Sequence, residues 1–176
     1  MYVCGPTVYD FPHIGNARPL VVFDVLFRLL KKLNGDDKVT YVRNITDIDD
    51  KIIDASNKQN KTIKEITEKF HKIYNLDMEG LGVSKPSIQP KATKYIKEMI
   101  SLIEQILKND CAYVREGNVL FDVKKYKHYG TLSKRISSDQ LAGSRIDVVD
   151  YKRNSEDFTL WKPSKDGEPG WDSPWG

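Results

Sequence analysis

A short motif at residues 13–16 combines a histidine, a glycine and an asparagine between a strand-like and a helix-like segment. The N-terminus of a helix offers unpaired N–H groups and the positive end of the helix dipole, so it attracts phosphate. Gly15 would let a ligand approach the backbone, and His13 could donate to a phosphate oxygen during phosphoryl or adenylyl chemistry. Alternatively, the two residues could simply shape a helix cap. The strand-loop-helix context favours the phosphate interpretation.

Cys4 ends the first apolar run and is a candidate thiolate ligand or nucleophile. The alternative is a small buried apolar residue, which is what most free cysteines are. A zinc site needs about four ligands, and this sequence has no CxxC pair and no His or Cys pair at ligand spacing. The residues alone therefore support one zinc ligand at most. Cys111, after a long helical segment, is expected to be structural.

Three carboxylates, Asp47, Asp49 and Asp50, follow the second strand-like segment. Carboxylates in the first turn of a helix are favoured by its dipole, which explains Asp49 and Asp50. A Mg²⁺ site is the weaker interpretation, because Mg²⁺ is usually held by one or two carboxylates together with substrate phosphates. Thr46, at the carboxyl end of the strand, is better placed to touch a ligand beside Cys4.

Aromatic and basic residues near the C-terminal end allow two interpretations. They are Trp161, Lys162, Lys165, Trp171 and Trp175. Together they could stack on nucleic-acid ends, but tryptophans more often pin a loop to a domain, which is the interpretation we favour. Two further histidines, His71 and His128, show no evident partners and are expected on the surface.

The elements that must position these residues begin with a strand at residues 2–5, a helix over 19–33 and a strand over 38–45. The helix prediction places Pro19 in the first turn, where its missing N–H is not needed. Strand, helix and strand form a βαβ unit, the building block of a parallel sheet. Since ligands bind beyond the carboxyl ends of such strands, residues 4–15 and 44–50 are expected at one rim.

Amphipathic helices and short strands follow. Thr62 and Glu65 form a predicted capping box, and residues 96–107 carry the clearest helical periodicity. A hairpin with its turn at 116–118 comes next. Further short strands are predicted at 147–151 and 157–161, and residues 162–176 are predicted to be a loop.

Composition narrows the class of protein. The chain has 176 residues, two cysteines and a net charge of +3. A disulfide scaffold is excluded, no apolar run approaches the ~18 residues of a membrane span, and the small charge does not itself indicate nucleic acid. A protein of the cytoplasm is the expectation.

The chain resembles the cysteinyl-tRNA synthetases. The resemblance rests on segments that stand in the family's order, at residues 2–10, 13–18, 41–52, 143–150, 157–162 and 167–171. The His-Ile-Gly motif alone indicates the class I synthetase superfamily. Cys4 and the block at residues 44–50 narrow the resemblance to the cysteine enzymes.

The resemblance implies that cysteine attacks the α-phosphorus of ATP and that the cysteinyl group then passes to the 3′-terminal adenosine of tRNA. It assigns catalytic and ATP-binding roles to His13 and Asn16, and ATP binding to Gly15. Cys4 would bind zinc. The residues that would line the cysteine pocket are Gly5, Thr7 and Thr46. Asn16 stands where many class I enzymes have a second histidine, so a hydrogen-bond donor remains but not a cation. Zinc would select a soft thiol over a serine hydroxyl.

The fold implied is α/β: the first half of a Rossmann-like parallel sheet at 1–59, an inserted α+β connective region at 60–145, and a return to the catalytic domain at 146–176. The remaining zinc ligands and the Lys-Met-Ser-Lys-Ser loop would lie beyond residue 176. Zn²⁺, ATP with Mg²⁺, cysteine and tRNA(Cys) are the expected cofactor, substrates and partners. The full-length enzyme is expected to be monomeric, and the 176-residue segment alone inactive.

Two alternatives stay open on the sequence. A related ligase that joins cysteine to an amino sugar would share the activation half. A non-catalytic module that binds RNA or protein would keep the fold without the reaction.

Overall fold

A computed structural model describes residues 1–134 and 150–176. Within these residues the chain forms two compact units, Met1–Tyr95 and Ile96–Gly176. The segment at 143–149 that carries part of the resemblance lies outside the described residues, as does most of the strand predicted at 147–151.

The first unit contains two short strands and three helices. They are β1 (Tyr2–Val3), α1 (Ile14–Asn34), β2 (Val42–Arg43), α2 (Asp50–Gln59) and α3 (Ile63–Gly80), with 3₁₀ turns at Asp36–Lys38 and Ala92–Lys94. The capping box predicted for α3 is confirmed, because Thr62 Oγ1 accepts from the Glu65 N–H and Glu65 Oε2 accepts from the Thr62 N–H.

Helix α1 begins five residues before Pro19, so the predicted start was wrong. His13 caps the helix and Pro19 lies inside it. At this position the proline costs the hydrogen bond that an N–H would make to the Gly15 carbonyl. The cap at His13 and the burial of Ala17 and Leu20 fix the earlier start.

Strands β1 and β2 are parallel, as a βαβ unit requires, with Tyr2 opposite Val42 and Val3 opposite Arg43. The ladder extends further than the sequence indicated. Ile88 bridges to Val42 and Lys91 to Ile45, both in parallel orientation, in a stretch for which the sequence analysis contains no strand. Pro86 and Pro90 argue against a strand in this part of the sequence, because proline is depleted from strand interiors.

The core of the first unit consists of three clusters of buried side chains. One contains Val3, Phe27 and Tyr41; another contains Ala17, Leu20, Tyr74, Met78 and Val83; the third contains Val8, Ile45, Ile52, Ile66 and Phe70. Each joins side chains that are distant in the sequence, so helices α1 to α3 and the strands form one packed body.

A buried carboxylate fastens α1 to the loop after α3. Asp24 accepts from Arg28 Nε at 2.7 Å and from the Ser84 N–H at 2.9 Å. Burial alone would raise the pKa of Asp24, but the hydrogen bonds from Ser84 and Arg28 outweigh burial and hold that pKa below its ordinary value. The group therefore remains a carboxylate at neutral pH.

The second unit places α4 (Ile96–Lys108) beside an antiparallel sheet of β3 (Ala112–Arg115), β4 (Asn118–Phe121) and β5 (Phe158–Trp161), in that order. The predicted hairpin is confirmed. Its turn residues Glu116 and Gly117 have φ of 52° and 73°, typical of a type I′ turn. Ile103, Ala112 and Val119 form its core cluster.

The α/β class is confirmed at the level of helices with a small parallel sheet and a separate antiparallel sheet. The domain boundaries at 59/60 and 145/146 stay a prediction. In the described part of the chain, no helix has the length and apolar character needed to cross a membrane.

Candidate functional site

The carboxyl ends of β1 and β2 meet at one rim, as the sequence predicted. The Gly5 N–H donates to Asn44 Oδ1 at 2.9 Å, and Thr7 bridges to Thr46 in parallel orientation. The Thr46 N–H donates to the Pro6 carbonyl at 3.0 Å. The three residues predicted for an amino-acid pocket, Gly5, Thr7 and Thr46, are therefore neighbours in space although 39 residues separate Thr7 from Thr46 in the sequence.

Gly5 allows the two segments to approach this closely. A Cβ at this position would lie 1.6 Å from the Asn44 carbonyl oxygen. Because the clashing atom belongs to the backbone of the neighbouring segment, a side chain here would force the rim apart. Glycine at residue 5 is thus required by the fold, whatever it contacts in a ligand.

His13 is the N-cap of α1. Its Nδ1 accepts from the Gly15 N–H at 3.1 Å, while its own N–H donates to Asn16 Oδ1 at 2.9 Å. An imidazole whose Nδ1 accepts a hydrogen bond carries its proton on Nε2 when neutral. The cap therefore fixes the tautomer of this exposed ring and leaves Nε2–H as a donor, so the structural and the phosphate interpretations of the motif are compatible.

Gly15 and Asn16 complete this arrangement. A Cβ on Gly15 would lie 2.8 Å from His13 Cε1 and 2.9 Å from Nδ1, so a side chain there would displace the capping ring. The capping bond of Asn16 uses its Oδ1 and leaves the amide nitrogen out of the cap. The site thus keeps a second potential donor beside His13.

Three predicted site residues, Thr7, His13 and Asn16, line one cavity of about 110 Å³, which we call the His13 cavity. Helix α3 supplies two further walls, Phe70 and Tyr74, which the sequence analysis missed. Both lie on the buried face of α3. Their helical spacing indicated burial but not which element they would pack against.

Cys4 lies at the same rim and is exposed, and among the described residues its thiol makes only a long contact of 3.8 Å, to the Gly5 carbonyl oxygen. An exposed thiol without a strong hydrogen bond is available as a soft metal ligand. Within residues 1–134 and 150–176, however, no three His, Cys, Asp or Glu side chains are grouped closely enough to hold a metal ion. Cys4 fits one position of a zinc site and no more.

The three carboxylates after β2 have separate roles. Asp50 lies in the first turn of α2, as predicted, whereas Asp49, which was expected in that turn, is the N-cap residue before it and accepts from the Lys51 N–H at 2.9 Å. Asp47 is buried and accepts from the N–H and the hydroxyl of Thr93 at 2.9 and 2.7 Å. Asp47 thus holds Thr93, which lies in the 3₁₀ turn at Ala92–Lys94, directly after the segment that bridges through Ile88 and Lys91.

The remaining candidates are resolved by their contacts. Trp161 and Trp175 pack against the core of the second unit, with ring centroids 6.2 Å apart, which supports the interpretation that tryptophans pin the loop. His128 is exposed. The prediction for His71 was wrong, since its Nε2 lies 2.9 Å from Gln89 Oε1 and 3.0 Å from Asn75 Nδ2. Asn75 at i+4 was the available signal.

Comparison with known proteins gives one family. The family model described as tRNA synthetases class I (C) catalytic domain matches residues 1–176.

Curated relatives carry the same assignment in their names. The cysteine–tRNA ligases of Maricaulis maris and Pelagibacter ubique are each 56% identical to the chain over 176 residues, and that of Caulobacter vibrioides strain NA1000 is 50% identical. Each match covers all of this chain but 38%, 39% and 38% of the relative, respectively. The chain therefore spans about two-fifths of the length of these relatives.

Proposed function

The chain belongs to the class I tRNA synthetase (C) catalytic-domain family, and on that premise we propose that it is part of an enzyme that activates cysteine with ATP and transfers it to tRNA(Cys). The names of its relatives support the substrate. The structural observation that carries the proposal is the rim at which Gly5, Thr7 and Thr46 adjoin the His13 cavity.

In the proposed first step an oxygen of the cysteine carboxylate attacks the α-phosphorus of ATP, and the bond from that phosphorus to the pyrophosphate leaving group breaks. His13 Nε2–H and the Asn16 amide would donate to phosphate oxygens, where negative charge develops. Donors that are already fixed in place need no reorganisation during the reaction. The cap that fixes His13 is therefore part of the proposed catalytic arrangement.

In the proposed second step a hydroxyl of the 3′-terminal adenosine of tRNA attacks the carbonyl carbon of cysteinyl-adenylate, an ester forms, the bond from that carbon to the phosphate oxygen breaks, and AMP leaves. Gly5, Thr7 and Thr46 would line the cysteine pocket. Cys4 would supply one zinc ligand at that pocket, and the other ligands would lie outside residues 1–176. Zinc held there would favour binding of the substrate thiol over binding of a serine hydroxyl. Mg²⁺ would accompany ATP.

The same proposal includes the division of the chain at 1–59, 60–145 and 146–176 and a Rossmann-like topology. It also includes a cytoplasmic location and a monomeric full-length enzyme.

The proposal predicts selective activation. In the full-length protein, exchange of labelled pyrophosphate into ATP is expected with cysteine, and at least about 100-fold more weakly with serine or alanine, because a site built around a specific polar contact rejects analogues that lack it. Equal exchange with serine would contradict a thiol-selective site. Absence of exchange with every amino acid would contradict the proposed enzymatic activity and favour a non-catalytic module that binds RNA or protein.

A further inference from the structure

Arg43 is a charged side chain in the interior of the first unit, with only 2% of its surface exposed. It follows Tyr41 and precedes Ile45 on the inward face of the β2 segment, and both neighbours are fully buried. A guanidinium remains charged in any protein environment. The fold therefore buries a permanent positive charge.

The Arg43 guanidinium lies over two aromatic rings, those of Tyr41 and Tyr74. Its Cζ lies 5.7 Å from the Tyr41 ring centroid and 5.6 Å from that of Tyr74. Burial raises the pKa of Tyr74 to about 12, so this phenol is neutral and provides no counter-charge. The stacking offsets part of the cost of burial but leaves the N–H groups free to donate.

Those donors lack acceptors in the described residues. Arg43 Nε and Nη1 are buried without a hydrogen-bond partner, and no carboxylate of residues 1–134 or 150–176 lies within ion-pair distance of the guanidinium. A buried charge left unpaired is strongly destabilising. The arrangement therefore calls for an anion.

Arg43 forms part of the wall of a cavity of about 510 Å³, which we call the Arg43 cavity. This volume is within the range of small-molecule sites. The polar side chains on its wall include the His71, Asn75 and Gln89 cluster and Lys72. Two carboxylates also lie on the wall, and each has a cation beside it: Glu79 is paired with Lys85 at 3.0 Å, and Glu68 with Lys64 at 3.9 Å.

We propose that the Arg43 cavity binds a small oxyanion, a carboxylate or a phosphate monoester, with the Arg43 guanidinium as its principal ligand and Lys72 as a second cation at the exposed wall. The site is distinct in its residues from the His13 cavity, although Tyr74 lines the His13 cavity and stacks on Arg43. The inference does not depend on the proposed reaction.

Selective ¹⁵N labelling of arginine in the full-length protein provides the test. The Nε–H resonance of Arg43 is assigned by its loss in Arg43→Lys, and the protein is titrated separately with inorganic phosphate and with acetate. The resonance is expected to shift and saturate with at least one anion, and the anion that saturates at lower concentration identifies the preferred oxyanion.

Two variants separate binding from folding. Lys72→Ala, on the exposed side of α3, should weaken that binding about two- to fivefold, while Lys58→Ala, an exposed position on α2 outside the cavity wall, should leave it unchanged. An Arg43 resonance that responds to neither anion, or equal affinity in the Lys72→Ala and wild-type proteins, would overturn the proposal.

Discussion

Replacing Cys4 by alanine is expected to remove bound zinc and cysteine-dependent pyrophosphate exchange together, with the loss of exchange on the order of 100-fold or more. Cys4 is exposed at the rim beside Gly5 and is free of strong hydrogen bonds, so its side chain contributes little to the fold. Zinc content by mass spectrometry of metals and exchange rate with cysteine are the two measurements. If zinc content and exchange rate fall together, Cys4 acts as a zinc ligand and not merely as a packing residue.

Cys111→Ala is the matched control. Cys111 lies at the start of the hairpin in the second unit, where its backbone carbonyl accepts from the Asp122 N–H at 2.9 Å. This bond survives the substitution, so zinc content and exchange should remain at wild-type values. If Cys4→Ala keeps its zinc or its full exchange rate, Cys4 is not the ligand.

Two substitutions of His13 distinguish its two roles. His13→Ala removes both the cap acceptor and the Nε2–H donor, whereas His13→Asn keeps an oxygen that can accept from the Gly15 N–H, because asparagine is a favoured N-cap. Both variants are expected to lose exchange activity on the order of 10²- to 10³-fold, since alanine has no donor and the shorter asparagine side chain does not place its amide where the imidazole Nε2–H lies. Only the alanine variant should lose stability, by about 1 kcal/mol.

Stability is measured from the midpoint of urea denaturation, and activity from exchange at saturating cysteine. Near-wild-type exchange activity in His13→Asn would show that His13 acts only as a capping residue and would contradict its proposed catalytic role. Equal destabilisation of both variants would instead show that packing of the ring, and not its acceptor, holds the start of α1.

Much of the rim was predictable because parallel strands obey simple geometry. A strand, helix and strand in series place the residues after β1 beside those after β2, and Thr7 and Thr46 meet there. The local side-chain signal was equally reliable at Thr62, where a capping box is recognisable without tertiary context.

Other features depended on packing that local patterns do not encode. Pro19 resembled a helix start, but the cap at His13, six residues earlier, and buried contacts of Ala17 and Leu20 prevailed. The bridges of Ile88 to Val42 and of Lys91 to Ile45 arise from pairing between segments that are distant in the sequence. Burial of Arg43 had a signal, since it shares the inward alternation of Tyr41 and Ile45, but a charge at such a position is rarely assigned to a core.

The acceptor assay tests the central claim most directly. Full-length protein is incubated with labelled cysteine and ATP, once with tRNA and once with an amino sugar, and the product is identified by its acceptor. We predict cysteine esterified to the 3′-terminal adenosine of tRNA(Cys) and no amino-sugar product. Transfer to the amino sugar with no charging of tRNA would contradict the account.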